Sequence, residues 1–137
     1  MPGTVLVVDD IAEAAAALAR VCEAAGFRAR VLTDSRRFRA AFAEEPPVAV
    51  ILDVMMPDQD GIEILREIAE LAPGTPVLVV TGQGELWARM ARDIGTILGL
   101  THVAMAAKPV GRALIVEFLG QALGPAAADS APTSSCG

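Results

Sequence analysis

Short apolar runs recur along the chain at intervals that leave room for a helix between each pair. They are "TVLVV" (4 to 8), "VAVIL" (48 to 52), "PVLVV" (76 to 80) and "HVAMA" (102 to 106), with "RARVL" (28 to 32) as a weaker fifth. Runs this short and this continuously apolar read as strands buried on both faces. The intervening stretches carry helical spacing. "EAAAALARVCEAAG" spans 13 to 26, "IEILREIAELA" spans 62 to 72 with Ile62, Leu65, Ile68, Ala69 and Ala72 on one face, and "GRALIVEFLGQAL" spans 111 to 123. In "GELWARMARDIGTILGL", Leu86, Met90, Ile94, Ile97 and Leu98 form one stripe, with Gly95 and Gly99 as candidate breaks. Gly26 and the "PGTP" of 73 to 76 supply stop signals. Strand and helix alternate five times, which predicts a doubly wound α/β fold with a parallel sheet and helices on both faces.

From Gly124 onward, "GPAAADSAPTSSCG" loses all periodicity and reads as a disordered tail or the stub of a linker, leaving residues 1–123 as one domain. The length of 137 residues suits a single core. With 53% hydrophobic residues, 4% aromatic and no tyrosine, that core must be built from Val, Leu, Ile, Ala and Met. A net charge of -6 disfavours non-specific binding to nucleic acid. The apolar runs fall short of the roughly 20 residues needed to span a bilayer. "MPGTVLVVDD" lacks the charged start of a signal peptide, so a cytoplasmic location is expected. Cys22 and Cys136 form no spaced pair or Cys/His cluster and are expected to be free thiols.

The chemistry sits where the apolar runs stop. Asp9 and Asp10 follow the first strand, Asp53 the third, Thr81 the fourth and Lys108 the fifth. In an open α/β sheet, ligands bind beyond the carboxyl ends of the strands, where the strand order reverses. Three carboxylates gathered there repel one another unless a cation relieves them. An all-oxygen set points to Mg²⁺, or Mn²⁺ in its place. A carboxylate beside such a metal, with an ammonium and a hydroxyl nearby, is equipped to accept a phosphoryl group. Each piece alone has a plainer reading: "VVDD", Asp58 and Asp60 as caps or turns, Thr81-Gly82 as a turn, Lys108-Pro109 as an exposed lysine before a helix. Their order at successive strand ends favours the joint reading, an aspartyl-phosphate site.

"VLVVDD", "LDVMMPDQDG", "VVTG" and "KP" resemble the signatures of the receiver domain of bacterial two-component response regulators, and the likeness runs to about residue 123. It implies a flavodoxin-like (βα)5 fold and phosphorylation of Asp53 from a histidine kinase. It also implies direct ligation of Mg²⁺ by Asp10, ligation by Asp9 through a water, and completion of the protein ligands by Asp53 and the backbone carbonyl of Met55. Thr81 would then hydrogen-bond the phosphoryl oxygen, Lys108 would pair with it, and the Lys108-Pro109 peptide would be cis. The partners implied are a sensor histidine kinase or phosphotransfer protein and a downstream output protein or further output domain. Direct binding of nucleic acid or membrane is not expected, and a phosphorylation-dependent homodimer stays open as an alternative. The protein would be a signalling switch that catalyses only its own phosphoryl transfer and hydrolysis.

Two features depart from the family pattern. Met105 stands where many receivers carry an aromatic switch residue, and it reads as core filler with a switching role as the alternative. The segment from Thr81 to Lys108 is longer than usual, which implies an extra helical turn or loop on the face formed by the fourth helix, fifth strand and fifth helix. Trp87 lies there, either buried against the sheet edge or anchoring a partner. His102 is expected to have a structural role at a strand edge, and arginines 28, 30, 36, 37 and 39 to form a solvated face. Glu13 complements a helix N-terminus. A phosphotransferase acting on an outside substrate would need a pocket or lid that such short loops scarcely provide. A binding module working unphosphorylated would leave the acidic, hydroxyl and lysine set without use.

Overall fold

The structure, a computed structural model, describes residues 3–53, 60–82 and 85–128, with the side chains at 60, 85, 87, 88 and 122–128 outside the description. Its elements run β1 (Thr4–Val8), α1 (Ala12–Ala24), β2 (Arg28–Leu32), α2 (Phe38–Glu44), β3 (Ala49–Asp53), α3 (Asp60–Leu71), β4 (Val77–Thr81), α4 (Glu85–Leu98), β5 (Val103–Ala107) and α5 (Arg112–Ala128). A 3-10 turn over Ser35–Arg37 precedes α2, and the Asp34 carboxylate caps it by accepting from the Arg36 N–H. The five strands are all parallel in the order β2-β1-β3-β4-β5. This is the flavodoxin-like order, and it puts the switch point between β1 and β3.

Alternation along the buried strands divides the core into two layers. Val5, Val7, Ile51, Leu78 and Val80 pack beneath α1 and α5, against Leu18, Cys22, Ile115, Phe118 and Leu119. Leu6, Val8, Val50, Leu52, Val77 and Val79 face Phe38, Ile64, Leu65, Ile68, Ala91 and Leu100. Each such aliphatic side chain contributes about 1.5–3 kcal/mol when fully buried. Because the interior strands have no exposed face, their sequences carry no polar alternation. The polar residues begin only at the carboxyl rim, where the chain must turn toward α1, α3 or α4.

Two expectations need correction, one of them on α4, where the apolar stripe proves not to be the inward face: Leu86, Met90 and Ile97 are 66%, 45% and 82% exposed. The helix instead meets the sheet through Ala91 and Gly95, both buried. The reason is close approach, since a Cβ on Gly95 would stand 3.2 Å from Leu100 Cδ1 and 3.3 Å from Val103 Cγ2. Gly95 lies inside the helix and does not break it; Gly99, at φ +107, ends it. Of the segment between Thr81 and Lys108, 14 residues are thus the helix α4. Lastly, α5 runs on to Ala128, five residues past the point where periodicity fails. Ala126 to Ala128 are strong helix formers, and helix continues there without an amphipathic pattern.

Candidate functional site

Asp9 leaves the sheet still hydrogen-bonded to it, its N–H donating to the Leu32 carbonyl at 3.1 Å. The side chain is fully buried. One carboxylate oxygen accepts the Ile11 N–H at 2.9 Å, a local turn that starts the chain toward α1. The other accepts Lys108 Nζ at 2.9 Å. Asp9 therefore does not act as the N-cap residue itself; that position is Ile11, which makes no side-chain cap. Asp10 is exposed, and Glu13 sits exposed in the first turn of α1 where it complements the helix end.

Asp53 is the last residue of β3 and is 4% exposed. It faces Val80 in register, one residue before Thr81. Lys108 Nζ donates to its Oδ2 at 3.1 Å, so one ammonium spans the carboxylates of β1 and β3. Burial pushes the Lys108 ammonium toward deprotonation, but the hydrogen bonds and charges of Asp9 and Asp53 outweigh it and hold the group above the ordinary lysine value. Thr81 ends β4 fully buried, and its carbonyl accepts the Lys108 N–H at 2.8 Å. The Lys108-Pro109 peptide is cis, as expected.

Asp9, Asp10 and Asp53 each offer a carboxylate oxygen within 4.8 Å of the others. Such an all-carboxylate set is the hard donor chemistry that suits Mg²⁺ or Mn²⁺. One lysine against three carboxylates leaves excess negative charge, which a divalent cation would neutralise. The donor set fits the metal that the sequence implied. Met55 and Asp58 lie outside the described residues, as do the side chains of Asp60 and Trp87.

Met105 is half-buried in β5 and lines a cavity of about 210 Å³ with Leu78, Ala104, Leu114 and Phe118. His102 stacks edge-on to Phe118 with ring centroids 6.3 Å apart, which suits the structural role expected of it. Four of the five arginines around β2 and α2 are paired on the surface: Arg28 and Arg30 with Glu45, Arg30 also with Glu44, Arg36 with Asp34, and Arg39 with Glu67 and Glu70. The sequence carried no sign that a single lysine would hold both Asp9 and Asp53, because that depends on the reach of a side chain across two strands.

Four strand ends supply this constellation, and no loop of the described chain contributes a separate lobe, so fold and site together define a single-sheet α/β module with an acidic site at its carboxyl rim. The family model of the response regulator receiver domain matches residues 5–117, and the chain belongs to that family. It is 35% identical over 91 residues to response regulator MprA of Mycolicibacterium vanbaalenii, covering 66% of this chain and 39% of that protein. To the C4-dicarboxylate transport transcriptional regulatory protein DctD of Pseudomonas aeruginosa it is 34% identical over 82 residues, covering 60% of this chain and 18% of that one. The chain thus matches well under half the length of these curated relatives. A putative response regulator from Chloroflexus aurantiacus superposes with a TM-score of 0.76 at 27% identity, covering 90% of this chain and 98% of that one. A CheY-like receiver domain protein from Methanospirillum hungatei shares the fold with a TM-score of 0.73 at 23% identity, covering 88% and 92%.

Proposed function

We propose that this receiver domain is a cytoplasmic phosphorylation switch in which Asp53 takes a phosphoryl group from the phosphohistidine of a sensor histidine kinase or a phosphotransfer protein. The observation that carries the reading is the placement of one ammonium, Lys108, on two buried carboxylates at the switch point, with Thr81 buried at the neighbouring strand end. An oxygen of Asp53 forms the bond to phosphorus as the bond from phosphorus to the imidazole nitrogen breaks, and the electron pair leaves with the imidazole. Asp9, Asp10 and Asp53, with the Met55 carbonyl, would hold Mg²⁺, which when bound neutralises charge on the phosphoryl oxygens. Lys108 follows the charge from the Asp53 carboxylate to the phosphoryl group. Thr81 donates its hydroxyl to a phosphoryl oxygen, and since its carbonyl holds the Lys108 N–H, the ends of β4 and β5 respond together.

The output surface is the face of α4, β5 and α5. Leu86, Met90 and Ile97 of α4 and Leu114 and Val116 of α5 are large apolar side chains left exposed, of the kind that marks contact surfaces. Phosphorylation would shift the population of this face toward the form read by a downstream protein, a further output domain or a second copy of the chain. Met105, lining the cavity under β5, would repack where other receivers move an aromatic ring. The chain acts on no outside substrate; it catalyses only its own phosphorylation and hydrolysis.

The test is incubation with acetyl phosphate, with and without Mg²⁺, read by intact mass. One added phosphoryl group that requires Mg²⁺ and is lost in Asp53→Asn is the expected result. Labelling that survives in Asp53→Asn, or none in either protein, would overturn the reading.

A further inference from the structure

Strand β2 closes one margin of the sheet, with β1 as its one neighbouring strand. The Arg28 N–H donates to the Gly3 carbonyl and the Leu32 carbonyl accepts the Asp9 N–H, both at 3.1 Å. Alternate residues of a parallel strand turn their backbone to one side, so Arg28, Arg30 and Leu32 bond to β1 while the N–H and C=O of Ala29 and Val31 point outward. Among the described residues none hydrogen-bonds to that outer row. Charged side chains commonly guard such an edge, but here they are drawn back over α2 and its end. Arg30 donates to the Ala41 carbonyl at 3.2 Å and to Glu44 at 3.0 Å, and Arg28 pairs with Glu45. Between β2 and α2 lies a cavity of about 280 Å³, lined by Leu32 and Thr33 from the strand side and by Arg37, Ala40, Ala41 and Glu44. Glu44 is engaged by Arg30, whereas Arg37 is exposed and makes no salt bridge with a described residue. The stretch from 28 to 45 holds five arginines against three carboxylates, in a chain whose net charge is -6. On the opposite face of β2, Val31 is 43% exposed.

We propose that the outer edge of β2 takes an extended segment of a partner protein in which acidic and aliphatic residues alternate. The segment adds as a sixth strand, pairing its backbone with the N–H and C=O of Ala29 and Val31. In strand addition the main-chain bonds supply affinity and alternate side chains supply specificity. Successive side chains of the added strand fall on opposite faces of the sheet. Those on the α2 side reach the cavity, where a carboxylate meets Arg37; those on the α1 side lie against Val31. The excess of arginine along this margin selects an acidic strand. A second copy of β2 fits worse, because antiparallel pairing centred on Arg30 sets that arginine against itself, and like charges directly opposed destabilise a sheet. Strand β1 separates this edge from the strand that carries Asp53, so the proposal does not depend on phosphorylation there.

The probe is the peptide acetyl-Glu-Val-Glu-Val-Glu-Val-amide, titrated into the isotope-labelled chain and read by NMR shifts and amide hydrogen exchange. At saturation, exchange at Ala29 and Val31 should slow by about tenfold or more as the new ladder forms. Arg37→Glu, at an exposed position, should weaken binding by about tenfold or more, the scale of a charge-assisted hydrogen bond. Val31→Pro removes an outward N–H and should abolish binding; a proline is tolerated at an edge position that donates nothing to its neighbour. If the proline disturbs the fold, Arg37→Glu and the exchange at Ala29 and Val31 still decide the matter. Equal binding of acetyl-Lys-Val-Lys-Val-Lys-Val-amide, unchanged exchange at Ala29 and Val31, or no binding of the glutamate peptide would overturn the proposal. The same shifts with glutarate would overturn it in favour of a simple anion site. Protection at Ala29 and Val31 that rises with the concentration of the chain alone would overturn it in favour of self-pairing.

Discussion

Lys108 Nζ stands 2.9 Å from Oδ2 of Asp9, a carboxylate with no exposure to solvent. The ammonium thus occupies the carboxylates to which Mg²⁺ would be drawn, and metal and lysine compete for them. Lys108→Met leaves Asp9 and Asp53 buried without their common cation, which should cost about 1–3 kcal/mol of stability in the absence of metal. Mg²⁺ should restore more stability to the variant than it adds to the parent protein, by binding only the folded state. Urea unfolding with EDTA and with excess Mg²⁺ measures both; an equal metal effect in the two proteins would refute the competition.

Gly95 sets how closely α4 approaches β5. Gly95→Leu would drive a side chain into Leu100 and Val103, and a loss of about 1–3 kcal/mol is expected. Gly95→Ala should come out near neutral, because a gain of about 1 kcal/mol in helix propensity offsets a contact a few tenths of an ångström too tight. Chemical denaturation of the two variants separates these cases.

Much of this was legible from the chain. The interior strands announced themselves as unbroken apolar runs, and residues such as Asp53 and Thr81 as the polar stops at their ends. Strand boundaries moved by a residue at Val48, Pro76 and His102, which flank the strands and make only the first hydrogen bond to a neighbouring one. The orientation of α4 was not legible. Hydrophobic spacing shows that Leu86, Met90 and Ile97 share a side, but whether that side turns inward depends on the closeness that Ala91 and Gly95 permit. The joint hold of Lys108 on Asp9 and Asp53 arises from side chains distant in sequence and has no local signature.

Cys22 is buried on the inner face of α1, and burial, with the charge of Glu23 adding to it, pushes its thiol up to about 11. At pH 8 the native protein should hold almost no thiolate there. In a Cys136→Ser variant, a disulfide reagent should react with Cys22 only after denaturant is added. Prompt reaction in the native state would contradict the burial.

Glu45 accepts the Thr4 hydroxyl at 2.7 Å, and with Arg28 and Arg30 nearby its carboxyl lies below its ordinary value of 4.5. A lowered carboxyl stabilises the fold above the unfolded value and loses that contribution as pH falls through the folded one. Glu45→Gln should therefore reduce the urea midpoint at pH 6 and do so less at pH 3. A difference that grows on acidification would reverse the sign and exclude this account.

Ile97 is 82% exposed, so Ile97→Asp should change stability by no more than about 0.5 kcal/mol. If the α4 face carries the output, the phosphorylated variant should lose self-association or partner binding while labelling at Asp53 proceeds as before. Sedimentation velocity of the parent and variant proteins, each with and without phosphoryl group, distinguishes the outcomes.

Strand β5 lies at the margin of the sheet, with β4 as its one neighbouring strand. Lys108, immediately after it, reaches past the end of β4 to the carboxylates that follow β1 and close β3. An edge strand with a single ladder partner is therefore tethered to the middle of the molecule by charge. A change of charge at Asp53 would thus alter the anchorage of a strand at the margin.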